Sequence, residues 1–149
     1  MSSELVGITI PEILTCFVEG SSHHNYYNNL SKNISNLSEK EFNKLLIKTV
    51  LVHEIGHVID CYDSYEITNS DEFKNIYEQE IEFFKNTTMY NINLDQWETF
   101  IKDENEYFAT ILACYVFYPE ELLDYCPLSY NYINSFLNTV ELNKSDKSK

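Results

Sequence analysis

No stretch of this chain approaches the ~18 consecutive apolar residues that a membrane-spanning helix requires, so no membrane span is expected. The opening MSSELVGITIPEIL has no basic region followed by a continuous apolar core, so no signal peptide is legible. The chain is expected to be soluble, either cytoplasmic or secreted by a route its sequence does not spell out. Basic residues are scarce, 10 Lys and Arg against 24 Asp and Glu, for a net charge of −14. Such a balance argues against nucleic acid as a partner and is compatible with a basic peptide. Cysteine is present but unorganised: Cys16, Cys61, Cys114 and Cys126 form no CxxC pair. That spacing speaks against a zinc–thiolate site and against a disulfide framework, leaving free, mostly buried thiols. With no internal repeat and no linker, the 149 residues read as one domain over 1–143, long enough for one core, and a disordered tail over 144–149.

What is present begins with β-branched residues. Residues 5–10 and 12–18, split by Pro11, read as two short strands. Residues 20–37 are rich in Ser and Asn without periodicity and read as a loop. The adjacent His23 and His24 in it are taken as solvated. Ser38 followed by Glu41 is a capping box, predicting a helix over 39–61 into which Phe42, Leu45, Leu46, Thr49 and Val50 run at helical spacing. Ser70 caps a second predicted helix with Phe73, Ile76, Tyr77, Ile81 and Phe84 on its buried side, its acidic residues reading as a solvated face. Asp103 begins a third, with Phe108, Ile111, Leu112, Tyr115 and Val116 facing the core, ended by Pro119. Residues 120–125 read as one further turn, and a last helix is expected from Ser129.

Within the first helix, residues 50–60 read VLVHEIGHVID. His53, Glu54 and His57 spell H-E-x-x-H, which has chemical meaning only on a helix. Positions four apart lie ~40° apart on a helix surface and one turn along it, so two imidazoles so placed can share one metal ion. Glu54, at the edge of that face, can act on a water without being a ligand. Val50, Leu51, Val52, Ile55, Val58 and Ile59 make the helix apolar almost all round, which predicts burial. Burying a polar group without a partner costs roughly 2–7 kcal/mol, and a metal with its water would satisfy these three. Gly56, disfavoured inside a helix by roughly 0.5–1 kcal/mol, predicts close approach of another backbone.

A catalytic zinc takes three protein ligands and leaves a fourth position open. For the third, spacing alone leaves two answers. Asp63 would require a sharp turn at position 60, where Asp60 stands; Glu106 or Glu104 would supply a carboxylate from the third helix.

HEIGHVID, then SDEFKNIYEQE, ENEYFA and CPLSYNYINSF resemble, in order and spacing over residues 49–136, the catalytic domain of anthrax lethal factor and the clostridial Pro-Pro endopeptidases. The resemblance implies a zincin-like α+β fold, mostly helical, with a small N-terminal β-sheet beside the HExxH helix. It implies zinc as cofactor, held by His53, His57 and Glu106, with Glu54 as general base and Asp60 in the site's supporting shell. It implies a peptide or protein substrate. The segment ENEYFATILACYVFYPEEL also resembles part of the phage-repressor-cleaving metallopeptidases, which set it closer behind their HExxH and lack the HVID continuation.

Two positions depart from the lethal-factor pattern. The family's oxyanion-stabilising tyrosine, seven residues before the ligand glutamate, is Thr99 here, with Trp97 and Phe100 nearby. A second family glutamate, four residues after the ligand, is Thr110. Loss of an oxyanion donor typically lowers rate by ~10²–10³, so the expectation is a slow peptidase or one recruiting Tyr90, Tyr26 or Tyr27. The expected function is that of a zinc-dependent endopeptidase acting through a zinc-activated water. The alternative is a zincin-fold interaction protein of little or no activity, such as an inhibitor, immunity factor or adaptor.

Overall fold

A computed structural model of the chain describes residues 7–10, 15–18, 38–62, 65–87 and 101–146. Strands β1 (Gly7–Ile10) and β2 (Thr15–Val18) pair antiparallel, Gly7 opposite Val18 and Ile10 opposite Thr15. The ladder lies against helix α1 (Glu39–Tyr62). As the capping box predicts, the Ser38 amide donates to Glu41 Oε2 at 3.0 Å and the Glu41 amide donates to Ser38 Oγ at 3.4 Å. Beyond α1, Tyr65 has a left-handed φ of 61°, and its amide donates back to the Asp60 carbonyl at 2.8 Å.

A short helix that the sequence reading did not anticipate, α2 (Glu66–Asn69), follows. Ser70 then caps α3 (Asp71–Phe84) by accepting from the Phe73 amide at 3.1 Å. Asp103 caps α4 (Glu104–Phe117) in the same way, accepting from the Glu106 amide at 3.0 Å. Helices α5 (Pro119–Tyr125) and α6 (Pro127–Asp146) each open on a proline, where the missing N–H has no intrahelical role to fill. The last helix thus starts at Pro127 rather than Ser129. It also runs to Asp146, into the expected tail, because nothing in Lys144, Ser145 or Asp146 breaks a helix; 147–149 lie outside the described residues.

The expected α+β class gives way to a mainly helical fold. Among the described residues, all but the eight of β1 and β2 lie in a helix or in a turn next to one, and these two strands of four residues each pair only with each other. A lone two-stranded ladder is too small to form a layer that a core could be built on; apolar surface is instead buried between helices.

The core centres on α4, not on the helix bearing H-E-x-x-H. All residues from Tyr107 to Cys114 are buried, since α1, α3, α5 and α6 all pack against this one helix. Phe73 and Phe84 reach it from α3 at 0% exposure, each burial contributing about 1.5–3 kcal/mol. Phe73 meets Phe108 edge to face at 5.6 Å between ring centroids, and Phe84 meets Tyr107 likewise at 5.5 Å. Two apolar expectations fail at the margins. Val116, assigned to the core face of α4, is 50% exposed, and Leu51 and Ile55 on α1 are 42% and 41% exposed. A helix covered by a limited set of neighbours keeps one flank in solvent however apolar its sequence. No helix among the described residues is long and apolar enough to cross a membrane.

The acidic side of α3 also needs correcting at one position. Glu80 falls on the 73–76–80–84 stripe and is 4% exposed. Its carboxylate accepts from the Leu128 and Ser129 amides, each at 2.8 Å, and from the Ser129 hydroxyl at 2.6 Å. It satisfies the free N–H groups at the start of α6 and pins that helix to α3. Tyr107 joins through its hydroxyl, 2.9 Å from Ser129 Oγ. Of the cysteines, Cys114 and Cys126 are free and buried and Cys61 is free and partly buried, as the spacing suggested. Burial, with the Glu80 charge nearby, pushes the Cys126 thiol up to about 12.

Candidate metal centre

The site forms where α1 and α4 cross, and the crossing is as close as it is because of Gly56. A Cβ at that position would stand 2.7 Å from Ala109 Cα and 3.1 Å from Ala109 Cβ. Carbon atoms prefer about 3.5–4.0 Å, so any side chain here would hold the helices apart. With glycine, the first turn of α4 comes alongside the H-E-x-x-H turn of α1, and Glu106 reaches both histidines.

His53 Nε2 lies 3.1 Å from His57 Nε2, and Glu106 Oε2 lies 3.2 Å from the first and 3.4 Å from the second. The imidazole planes are nearly perpendicular, at 88°, with centroids 4.8 Å apart. Three lone-pair atoms thus form an almost equilateral triangle. Zinc with bonds of ~2.0–2.1 Å in tetrahedral geometry sets its ligand atoms about 3.3 Å apart, which is the size of this triangle. Two ring nitrogens and one carboxylate oxygen are also the donor set of catalytic zinc sites, which leave a fourth position open. The residues present therefore fit the ion. Among the described residues, no other group of His, Cys, Asp or Glu converges in this way.

Both partners' proton affinities move consistently with this packing. Burial alone would raise the Glu106 carboxyl, but hydrogen bonds from both imidazoles outweigh it and hold the group far below the usual carboxylate range. Burial pushes His57 down, and the adjoining Glu106 carboxylate, with Glu54 and Asp60 further off, more than reverses that, leaving His57 raised. Glu54 is 6% exposed on α1, within electrostatic reach of His57 and not one of the three converging residues.

With both Nε2 atoms turned to the triangle, the imidazole protons belong on Nδ1. His53 Nδ1 lies 3.2 Å from Thr110 Oγ1, so in that tautomer it donates to the threonine hydroxyl, which fixes the ring. Thr110 is where the lethal-factor pattern has a glutamate. Its hydroxyl meets the His53 ring without bringing a charge, a contact that the spacing alone did not reveal. Lys102 was also missed. Its Nζ stands 3.5 Å from Glu106 Oε1, and the interval of four before a carboxylate was the available signal.

Asp60 is buried at 1% exposure, but its hydrogen bonds go elsewhere. Oδ1 accepts from the Thr68 amide at 3.2 Å and Oδ2 from the Thr68 hydroxyl at 2.7 Å. It ties the end of α1 to α2 and influences His57 through its charge. Burial raises the Asp60 carboxyl, partly offset by those bonds. Because α1 continues through position 60 to Tyr62, the sharp turn that an Asp63 ligand would need is absent there. Asp63 itself lies outside the described residues, as do His23, His24, Tyr26, Tyr27, Tyr90, Trp97, Thr99 and Phe100. Glu104, the alternative on α4, is not among the converging groups.

Comparison with known proteins adds one match. The family model described as anthrax toxin lethal factor, N- and C-terminal domain, matches residues 34–136. No curated protein and no solved structure matches this chain.

Proposed function

Since the chain belongs to the family of the anthrax toxin lethal factor N- and C-terminal domains, we propose that it is a zinc-dependent endopeptidase whose ligands are His53, His57 and Glu106. The observation that carries this reading is the triangle of Nε2, Nε2 and Oε2 atoms, with edges of 3.1–3.4 Å, beside a buried glutamate that is not one of its corners. A zinc ion held there would supply Lewis acidity, making a water more acidic and polarising the scissile carbonyl.

The remaining work falls to the chain's own groups. Glu54 takes a proton from the attacking water and delivers it to the leaving amine. Its burial beside His57 keeps bulk water from competing for that proton. Thr110 holds the His53 ring in the tautomer that presents Nε2. Asp60, tied to Thr68, keeps the end of α1 rigid one turn beyond His57. A purely structural metal site would have no use for a buried base, and Glu54 is what separates this reading from an inactive interaction protein.

The test begins with elemental analysis of the wild type beside His57→Ala and Glu106→Ala. About one zinc per chain, lost in both variants, is expected. A peptide-library digest with wild type and Glu54→Gln follows: cleavage by the first, and none by the second with zinc retained. Zinc kept by Glu106→Ala would remove the third ligand, and zinc lost from Glu54→Gln would make Glu54 structural rather than a base.

A further inference from the structure

The two oxygens of Glu106 face different partners. Oε2 is the corner of the triangle, whereas Oε1 lies 3.5 Å from the Lys102 ammonium. The lysine is placed by the backbone on either side of it. Ile101 before it is buried at 3% exposure, and its carbonyl accepts from the Tyr77 hydroxyl at 3.1 Å. Asp103 after it is committed to the α4 cap through the Glu106 amide. Held between these two, Lys102 lies just ahead of the α4 cap and meets one oxygen of the same carboxylate whose other oxygen meets the histidines.

We propose that Lys102 is a positioning residue for Glu106, holding Oε1 outward so that the carboxylate meets the ion through Oε2 alone. The inference rests on the zinc reading above and goes beyond it by naming what sets the ligand's denticity. A carboxylate can bind a metal through one oxygen or both. With Oε1 free to turn inward, Glu106 would chelate, raise the coordination number and crowd the position that a catalytic site leaves for water. An ammonium on Oε1 opposes that rotation. As a contributor to folding the pair counts for little, since the lysine side chain is 54% exposed and exposed ion pairs are weak. Its effect falls instead on which oxygen the metal sees.

Denticity can be read without any substrate. The full chain is loaded with cobalt(II) in place of zinc, and visible absorption is recorded for wild type, Lys102→Met, Lys102→Gln and Lys102→Arg, with circular dichroism melts to check folding. Four-coordinate cobalt absorbs more strongly than five-coordinate cobalt. Wild type and Lys102→Arg are expected to give the strong band. Lys102→Met and Lys102→Gln are expected to lose intensity at unchanged melting temperature and about one cobalt per chain. If both neutral variants keep the wild-type spectrum, or if Lys102→Arg loses it as they do, the positioning role is overturned while the metal site stands. If the wild type itself binds no cobalt, the zinc reading falls and this inference with it.

Discussion

Replacing Gly56 by alanine tests the geometry on which the site depends. The added Cβ would meet Ala109 Cα at 2.7 Å, about 1 Å inside ordinary carbon contact. The atom it strikes is backbone, so no rotamer relieves the clash and α4 must move. Glu106 sits one turn earlier on that helix and His57 one residue beyond the glycine. A shift of about 1 Å would therefore stretch the Nε2 to Oε2 edges, now 3.2 and 3.4 Å, well past what bonds held to about ±0.2 Å tolerate. Two terms oppose each other in stability. Alanine gains up to about 1 kcal/mol over glycine in a helix interior, and overpacking costs about 1–3 kcal/mol. With the full propensity gain the net is a loss of about 0–2 kcal/mol in urea denaturation of the metal-free protein, and zinc affinity is expected to fall at least about 10-fold by competition with a chromogenic chelator. Adding Ala109→Gly should restore little, since it removes the 3.1 Å contact and leaves the 2.7 Å one. A Gly56→Ala protein as stable as wild type, with wild-type zinc affinity, would refute the claim that this glycine sets the helix crossing.

Two further outcomes follow from the buried charges. His57 is raised above its ordinary 6.5 in the metal-free protein, so its stabilising contribution is complete below that value and is lost as pH rises through the folded one. A proton there competes with the ion, so zinc affinity should run the opposite way, rising by up to about tenfold per pH unit over the same window with release of about one proton. Calorimetric titration in two buffers of different ionisation enthalpy measures that proton, and zinc binding with no pH dependence around and just above 6.5 would contradict the ligand role. Glu80→Ala should strand the three donors its carboxylate now satisfies and lower stability by about 3 kcal/mol while leaving zinc affinity alone. An unchanged urea midpoint would show that the carboxylate does not hold the start of α6.

The parts of this protein legible in its sequence are those governed by neighbours along the chain. Ser38, Ser70 and Asp103 announce helix starts because a cap acts over three residues. His53 and His57 announce a shared ligand because one helical turn sets them together whatever the rest of the fold does. Gly56 announced a close backbone, though not whose. The resemblance over residues 49–136, rather than spacing, singled out Glu106 from Glu104 and Asp63.

What only the tertiary structure decided is the work of contacts between distant segments. That Ala109 is the backbone opposite Gly56, and that Glu106 therefore reaches both histidines, depends on how α4 crosses α1. The same crossing puts Thr110 on His53 Nδ1. Glu80 looked like one more solvated acid until α6 was seen to start against it, and Asp60, placed one turn from His57, turned out to spend its hydrogen bonds on Thr68. The fold class went the same way: two β-branched stretches suggested a sheet, but helices surrounding α4 supply the buried surface. Local sequence specifies which residues can share a turn or a cap; which faces meet is decided by the packing of the whole chain.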